Sequence, residues 1–424
     1  MIDLASPSWL VVLRDMPTQA SVLDVKQRLQ PATRRLMFTA CAGLFSCGIA
    51  MALVGAVLPE LQRSLRFGLE KAGILQSIVY VAQVPTLLVV GPLIDRLGKK
   101  PVLVGGWGLF ALALVGIVHA SSYAPLATML FLLGLGASCL DGGASTLIPE
   151  VYAANAFSAM NVGNLFFSLG AVFFPLLTVL TQKLGLAPVL VFLAALMAIL
   201  GASAFLQTFP TANGATGLDW REAQRVVLHP TVIMVSAVLF FYVALETSTA
   251  GWARTYLDRS LGATAKTSGL VLTLFWASQA LGRLVASRLV RVLGGPELVL
   301  LSAMGAVLGT LLVVLAPNAW TAAAGIAVCG LTYAAIFPTS VTAAGVKFPT
   351  LFGTIFGIFA AAGFLGAVLL PAAIGYLANA TTLREGLGLL VTTAGLMLFA
   401  QAIYVRYERR RGLPIVDGRL PTGD

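Results

Sequence analysis

The chain has 424 residues, of which 58% are hydrophobic and only 10% charged, with a mean hydropathy of +0.92. A soluble domain of this length needs a polar shell of roughly one-quarter charged residues, so a soluble globular protein is excluded. The formal charge of +10 does not indicate nucleic acid, because the basic residues are spread among short connections between apolar runs.

Residues 1–35 read as a cytoplasmic arm. Trp9–Leu13 is too short and too interrupted by charge for a secretory h-region, and this patch is expected on the membrane surface. Apolar runs of bilayer-spanning length then fall near 36–58, 72–91, 102–119, 124–148, 158–180 and 188–207. A polar linker covers 208–230. Six more runs follow near 231–252, 267–287, 297–315, 320–343, 353–377 and 385–405, before a tail at 406–424. The expected fold is an all-α membrane protein of twelve transmembrane helices in two six-helix bundles, residues 36–207 and 231–405.

Most of the 27 Lys and Arg fall on one side of this topology. They sit in the arm, around Arg96, Lys99 and Lys100, at Arg221 and Arg225, at Arg283, Arg288 and Arg291 after span eight, at Lys347 and in the tail. Arg254 and Arg259 are assigned to the opposite loops. The positive-inside rule puts both termini in the cytoplasm. The four cysteines, Cys41, Cys47, Cys139 and Cys329, lie inside spans and read as small packing residues. With His119 and His229 as the only histidines, no metal site, cofactor or enzymatic constellation is expected.

The halves resemble each other. Leu169-Gly-Ala-Val-Phe-Phe-Pro175 in span five matches Leu365-Gly-Ala-Val-Leu-Leu-Pro371 in span eleven, 196 residues later. Paired repeats place a solute site between the halves near the midplane. Candidate residues for it follow from polarity within spans. Asp141 shares a helix face with Ser138 and Ser145, and Glu246 shares one with Tyr242 and Thr249. A carboxylate at a helix centre costs about 2.5–3.5 kcal/mol to insert, so each faces a cavity or a partner; the plainer alternative is a neutral, hydrogen-bonded packing group. Gln76, Tyr80 and Gln83 line span two, Asn161, Asn164 and Ser168 span five, and Trp276 and Gln279 span eight. Amides and aromatic faces suit a hydroxyl-bearing ring, although helix–helix glue produces the same stripes.

After span two the chain reads Gly91-Pro-Leu93-Ile-Asp95-Arg96-Leu-Gly98-Lys99-Lys100-Pro101. This resembles the signature loop of the major facilitator superfamily, in sequence and in position. The resemblance implies a conformational latch formed by Gly91, Asp95, Arg96, Gly98 and Lys99, with Asp95 set against the start of span eleven near Gly353. The second copy, Gly282-Arg283-Leu-Val-Ala286-Ser287-Arg288, lacks the acid.

Gly134-Leu-Gly136, Asp141-Gly-Gly-Ala-Ser145, Asn161-x-x-Asn164-x-x-Phe167-x-x-Gly170 and Tyr242-x-x-x-Glu246-x-x-x-x-Gly251-Trp252 resemble the fucose/proton symporter branch of that superfamily. So does Gly330 with Ile336-Phe-Pro-Thr339. That likeness implies a sugar transporter of the plasma (bacterial inner) membrane, monomeric and working by alternating access. Its coupling ion is the proton, carried by Asp141 and Glu246, and its solute contacts include Trp252. Two departures from the branch pattern stand out: Ser145 replaces an Asn, and residues 36–59 hold no acid. An efflux pump for amphipathic compounds and a non-transporting sensor or scaffold with the same fold stay open as alternatives.

Overall fold

A helix buries all of its own backbone hydrogen bonds, which is why apolar runs of this length become helices in lipid. The computed structural model describes residues 19–152, 156–210, 227–345, 347 and 352–410, and the described secondary structure is helical throughout. The first half contains α1 (Gln19–Leu65), α2 (Leu69–Leu97), α3 (Lys99–His119), α4 (Tyr123–Val151), α5 (Ala156–Leu184) and α6 (Leu186–Phe205). The second contains α7 (Pro230–Ser260), α8 (Ala265–Leu293), α9 (Gly295–Val314), α10 (Ala319–Tyr333), α11 (Ile336–Gly345), α12 (Phe352–Ala380) and α13 (Leu383–Arg410). Because α10 and α11 together make the tenth span, there are twelve crossings.

Ten of these spans are long and apolar enough to cross a bilayer by length and composition alone. Among the described residues of α5, Gly163–Leu177 is a shorter apolar stretch. Large apolar side chains such as Leu169, Ile199, Phe205, Leu308 and Phe399 stand exposed on the outside of the bundle. In water such a surface would aggregate; against acyl chains it is the stable arrangement.

Most helices outrun the apolar runs that announce them. The first span begins at Gln19, within the stretch expected as an arm, and continues to Leu65; the seventh continues to Ser260. Hydropathy marks lipid thickness, whereas a helix continues until a capping residue or a turn stops it. Residues 1–18, most of the linker (211–226) and the tail from 411 lie outside the described residues.

The duplication is structural as well as sequential. Gly98 alone separates α2 from α3, with φ +84°, and Gly294 alone separates α8 from α9, with φ +83°. Only glycine enters that region without strain, and each caps the preceding helix, on Ile94 O and Val290 O respectively. Gly134 of α4 lies on the carbonyl of Val79, and Gly330 of α10 on that of Phe275. Gly170 lies on Phe45 O and Gly366 on Phe240 O. In each case the second glycine follows the first by 196 positions.

The halves meet along three helix pairs: α1 with α7, α2 with α12, and α5 with α8. Two of these are tight on the face opposite the termini. A Cβ added to Gly55 would fall 2.5 Å from Ala250 O, and one on Gly73 would fall 2.5 Å from Pro371 O. Small residues that let backbones touch are the usual device for holding helices together in lipid. Here they seal the distal face between the halves.

That seal makes a prediction. Gly73→Leu is expected to force α2 from α12, so that a cysteine at buried Ser77, in a cysteine-free background, becomes open to a membrane-impermeant maleimide. Labelling equal to that of the Gly73 parent would remove the seal assignment.

Candidate functional site

Helix α7 carries a long enclosed stretch: every residue from Tyr242 through Leu257 is buried. A helix buried all round belongs to a core, and α7 packs against α1 across the halves as well as α8, α12 and α13 within its own. Glu246 lies at its middle, 5% exposed. Its Oε1 accepts a hydrogen bond from Tyr242 Oη at 2.6 Å and another from Gln279 Nε2 of α8. One turn on, Thr249 pairs with Tyr333 Oη of α10 at 3.4 Å.

Several polar atoms on α2, α7 and α8 are buried without a hydrogen-bond partner: Gln279 Oε1, Trp276 Nε1, Ser248 Oγ and both amide atoms of Gln76. Gln76 of α2 packs onto Gly251 of α7 from the other half. Tyr80, a turn further along α2, sets its ring 6.0 Å from that of Phe364 in α12, and Gln83 on the same face is also buried. Buried amide and indole groups are nearly always satisfied. The five such atoms on Gln76, Ser248, Trp276 and Gln279 make this stretch the candidate site; others lie elsewhere, on Gln62, Ser138, Glu297, Tyr404 and Glu408.

On the side toward the termini, Arg283 of α8 crosses the interface. Its Nη1 donates to Asn164 O at 3.2 Å and to Ser168 Oγ, both on α5, and its guanidinium lies 5.9 Å from the Phe167 ring centre. Its positive field reaches Glu246 and Tyr242. Arg283 was expected beyond span eight, on the cytoplasmic side. It instead sits ten residues before the end of α8, about 15 Å inside by helical rise. The signal available in the sequence was its spacing: Trp276, Gln279 and Arg283 recur at i, i+3, i+7 on one face.

Asp141 is half-buried on α4 and accepts from Ser145 Oγ at 3.3 Å, while Ser138 Oγ on the same face is buried without a partner. Asp141 lies about 15 Å from the terminal end of its helix and Glu246 about 24 Å from that of α7. The two acids thus form separate stations at different depths. Trp252 was expected to contact solute, but its side chain is fully buried and its Nε1 donates to Pro371 O at 3.3 Å. It locks α7 to α12. The side chain of Asn161 lies outside the described residues.

Arg254 is a second correction. Assigned to an outer loop, it lies inside α7 at 1% exposure, donating to Ala56 O and to Glu60 Oε1 of α1, the latter at 2.5 Å. Glu60 lies just beyond residues 36–59, which hold no acid, within the last two turns of α1. Together they form a buried ion pair across the distal seal.

In the signature loop, Gly98 makes the turn, Arg96 is exposed, and Lys99 pairs with Glu150 at the end of α4. The side chain of Asp95, like Gly91 and the start of α12 around Gly353, lies outside the described residues. The observed contact therefore ties this loop to its own half.

The family model of the Major Facilitator Superfamily matches residues 40–256 and 235–419. This chain belongs to that superfamily of transporters. The MFS-type transporter YfkL of Bacillus subtilis (strain 168) is 26% identical over 337 residues, 76% of this chain and 84% of that protein. The 4-hydroxybenzoate transporter PcaK of Pseudomonas aeruginosa is 30% identical over 148 residues, 34% of this chain and 32% of its own length. Among solved structures, a D-xylose–proton symporter superposes with a TM-score of 0.77 at 13% identity, covering 92% of this chain and 99% of the symporter. The Escherichia coli fucose:proton symporter superposes with a TM-score of 0.63 at 17% identity, over 88% and 99%. These structural likenesses establish the fold. The chain is a multi-pass membrane transporter of this superfamily, not an enzyme.

The Arg254–Glu60 pair carries its own test. Removing one partner of a buried pair leaves an uncompensated charge, so Arg254→Met is expected to lower stability in detergent by about 3 kcal/mol. The Arg254→Met/Glu60→Met double variant should recover part of that loss. Strictly additive losses in the unfolding cycle would show that the two residues do not interact.

Proposed function

We propose that this protein is a secondary active transporter for a small hydroxyl-bearing solute, a sugar or a molecule built like one, driven by protons through alternating access. The observation that carries this reading is the polar junction on α2, α7 and α8. Glu246, Trp276 and Gln279 lie together on α7 and α8, and Gln76 of α2 packs on Gly251 of α7 from the other half; Gln76, Trp276 and Gln279 keep hydrogen-bonding atoms that the described protein does not satisfy. Amides offer donors and acceptors in one plane, and Tyr80, Tyr242 and Trp276 supply aromatic faces for the apolar side of a ring. Such a cluster suits a hydrated polar solute better than an amphipathic drug, which favours this reading over efflux of apolar compounds.

Proton coupling is supported by two ionisable side chains within the bundle at different depths. Glu246 touches the solute-facing groups, and Asp141 lies nearer the termini, where among the described residues Ser145 is bound to it. A carboxylate in such a setting moves a proton when the surrounding dielectric and hydrogen bonds change between states. The printed names of two structural neighbours, a D-xylose–proton symporter and a fucose:proton symporter, point the same way. The distribution of Lys and Arg supports a plasma-membrane protein with both termini in the cytoplasm, and a junction formed by the two halves of one chain supports a monomer. The signature loop acts as the latch, with Asp95, Arg96 and Lys99 holding the terminal face while the glycine seal is open.

Proteoliposomes with an imposed pH gradient test the coupling. Asp141→Asn is expected to abolish uphill accumulation and to spare counterflow exchange, in which no net proton movement is needed. Glu246→Gln is expected to impair both, because Glu246 also orders Tyr242 and Gln279. Uphill uptake at the parental rate in Asp141→Asn would remove Asp141 from the coupling role.

A further inference from the structure

The guanidinium of Arg283 is the least explained charge in the described bundle. The other inward-reaching cation, Arg254, has a carboxylate partner in Glu60. Lys99, Lys347 and Arg409 pair with Glu150, Glu408 and Glu297 near the ends of their helices. Arg283 has no acid within ion-pair distance among the described residues; its bonds go to a backbone carbonyl and a hydroxyl, both neutral.

Both bonds leave from Nη1. Guanidinium carries five N–H donors in a planar fork, and those on Nη2 and Nε make no hydrogen bond among the described residues. Arg283 is half-buried rather than sealed, so that edge is not packed away. It is the edge that matches a carboxylate in two parallel hydrogen bonds.

The neighbours on the same helix face extend the match. One turn along α8, Gln279 presents an unpartnered Oε1, an acceptor for a hydroxyl, and beyond it Trp276 presents an unpartnered Nε1–H, a donor. Glu246 is already engaged by Tyr242 and Gln279 and does not bond to the guanidinium. Phe167, which flanks Arg283, adds an aromatic wall. A neutral hexose would use the amide and the indole but leave the open edge of the guanidinium without an acceptor.

The geometry points to Arg283 as the anchor for a carboxylate on the transported solute, which makes that solute an organic monocarboxylic acid bearing hydroxyl groups. It rests on the transport reading above and narrows it, from sugar-like molecules to their acids or to hydroxylated aromatic acids. The acid group lies on Arg283 toward the termini, and its ring and hydroxyls reach Gln279 and Trp276.

Matched pairs of probes test this on the native protein: galactose against galacturonate, and 4-hydroxybenzyl alcohol against 4-hydroxybenzoate, read as ligand-induced rises in melting temperature. At least one acid is expected to stabilise the protein while its neutral partner does not; which pair responds tells a sugar acid from an aromatic one. Arg283→Gln should weaken binding of that acid by about tenfold or more, the worth of a charged hydrogen-bonded contact, and Arg283→Lys should keep part of it. A neutral member that stabilises as well as its acid overturns the assignment, as does stabilisation by neither acid, or parental affinity in Arg283→Gln. The native-protein comparison needs no variant, so misfolding of Arg283→Gln does not obscure the answer. The maleimide experiment at Ser77 needs no solute, so alternating access is judged independently of this outcome.

Discussion

Lipid offers no hydrogen-bond partner, so every polar group that this chain carries into the bilayer must be answered by the chain or by what it carries. The rest of the structure follows from that constraint. Backbone amides are answered within helices. The few ionisable side chains at depth are answered across the junction of the halves: Arg254 by Glu60 and the Ala56 carbonyl, Arg283 by Ser168 and the Asn164 carbonyl. Helix α7, enclosed on all sides, is where most of these answers converge, because it touches the opposite half while carrying Glu246 and Arg254.

The same constraint explains how the two halves hold together. There is little hydrophobic gain in bringing two lipid-solvated bundles together, so association rests on close van der Waals packing and a few polar contacts. Glycines at Gly55, Gly73, Gly251 and Gly375 permit that packing on the distal face. Contacts of this kind form and separate as units, with no hydrophobic core torn open. The polar junction lies beneath the seal, between the two bundles, where the proposed alternating access would need it.

Polar groups divide accordingly into those that hold the halves and those left with unused hydrogen-bonding capacity. Trp252 and Lys99 have partners that account for them, and Arg254 has them on both terminal nitrogens, with its Nε left unpartnered. Gln76, Trp276, Gln279 and the free edge of Arg283 do not. Residue type does not make this distinction, since Trp252 and Trp276 are both buried tryptophans. One donates to a carbonyl of the neighbouring helix; the other faces the junction with its N–H unspent.

The sequence alone determined the membrane class, the twelve crossings, the duplicated halves and the superfamily, because each depends on composition, on run length or on local turn chemistry. Gly98 is an example: a single residue between two helices must take positive φ, and its repetition as Gly294 follows from the same local need. The helical stripes through Gln76, Glu246 and Gln279 were also legible, since a 3.6-residue period is local. What only tertiary structure decided is which charges lie inside. Arg254 and Arg283 read as loop residues because hydropathy weighs a charge by its neighbours in sequence, whereas its burial depends on partners that are 194 positions away for Glu60 and 115 for Ser168. A charge is tolerated in the bilayer when a partner from another helix arrives to meet it, and that meeting is a property of packing, not of sequence order.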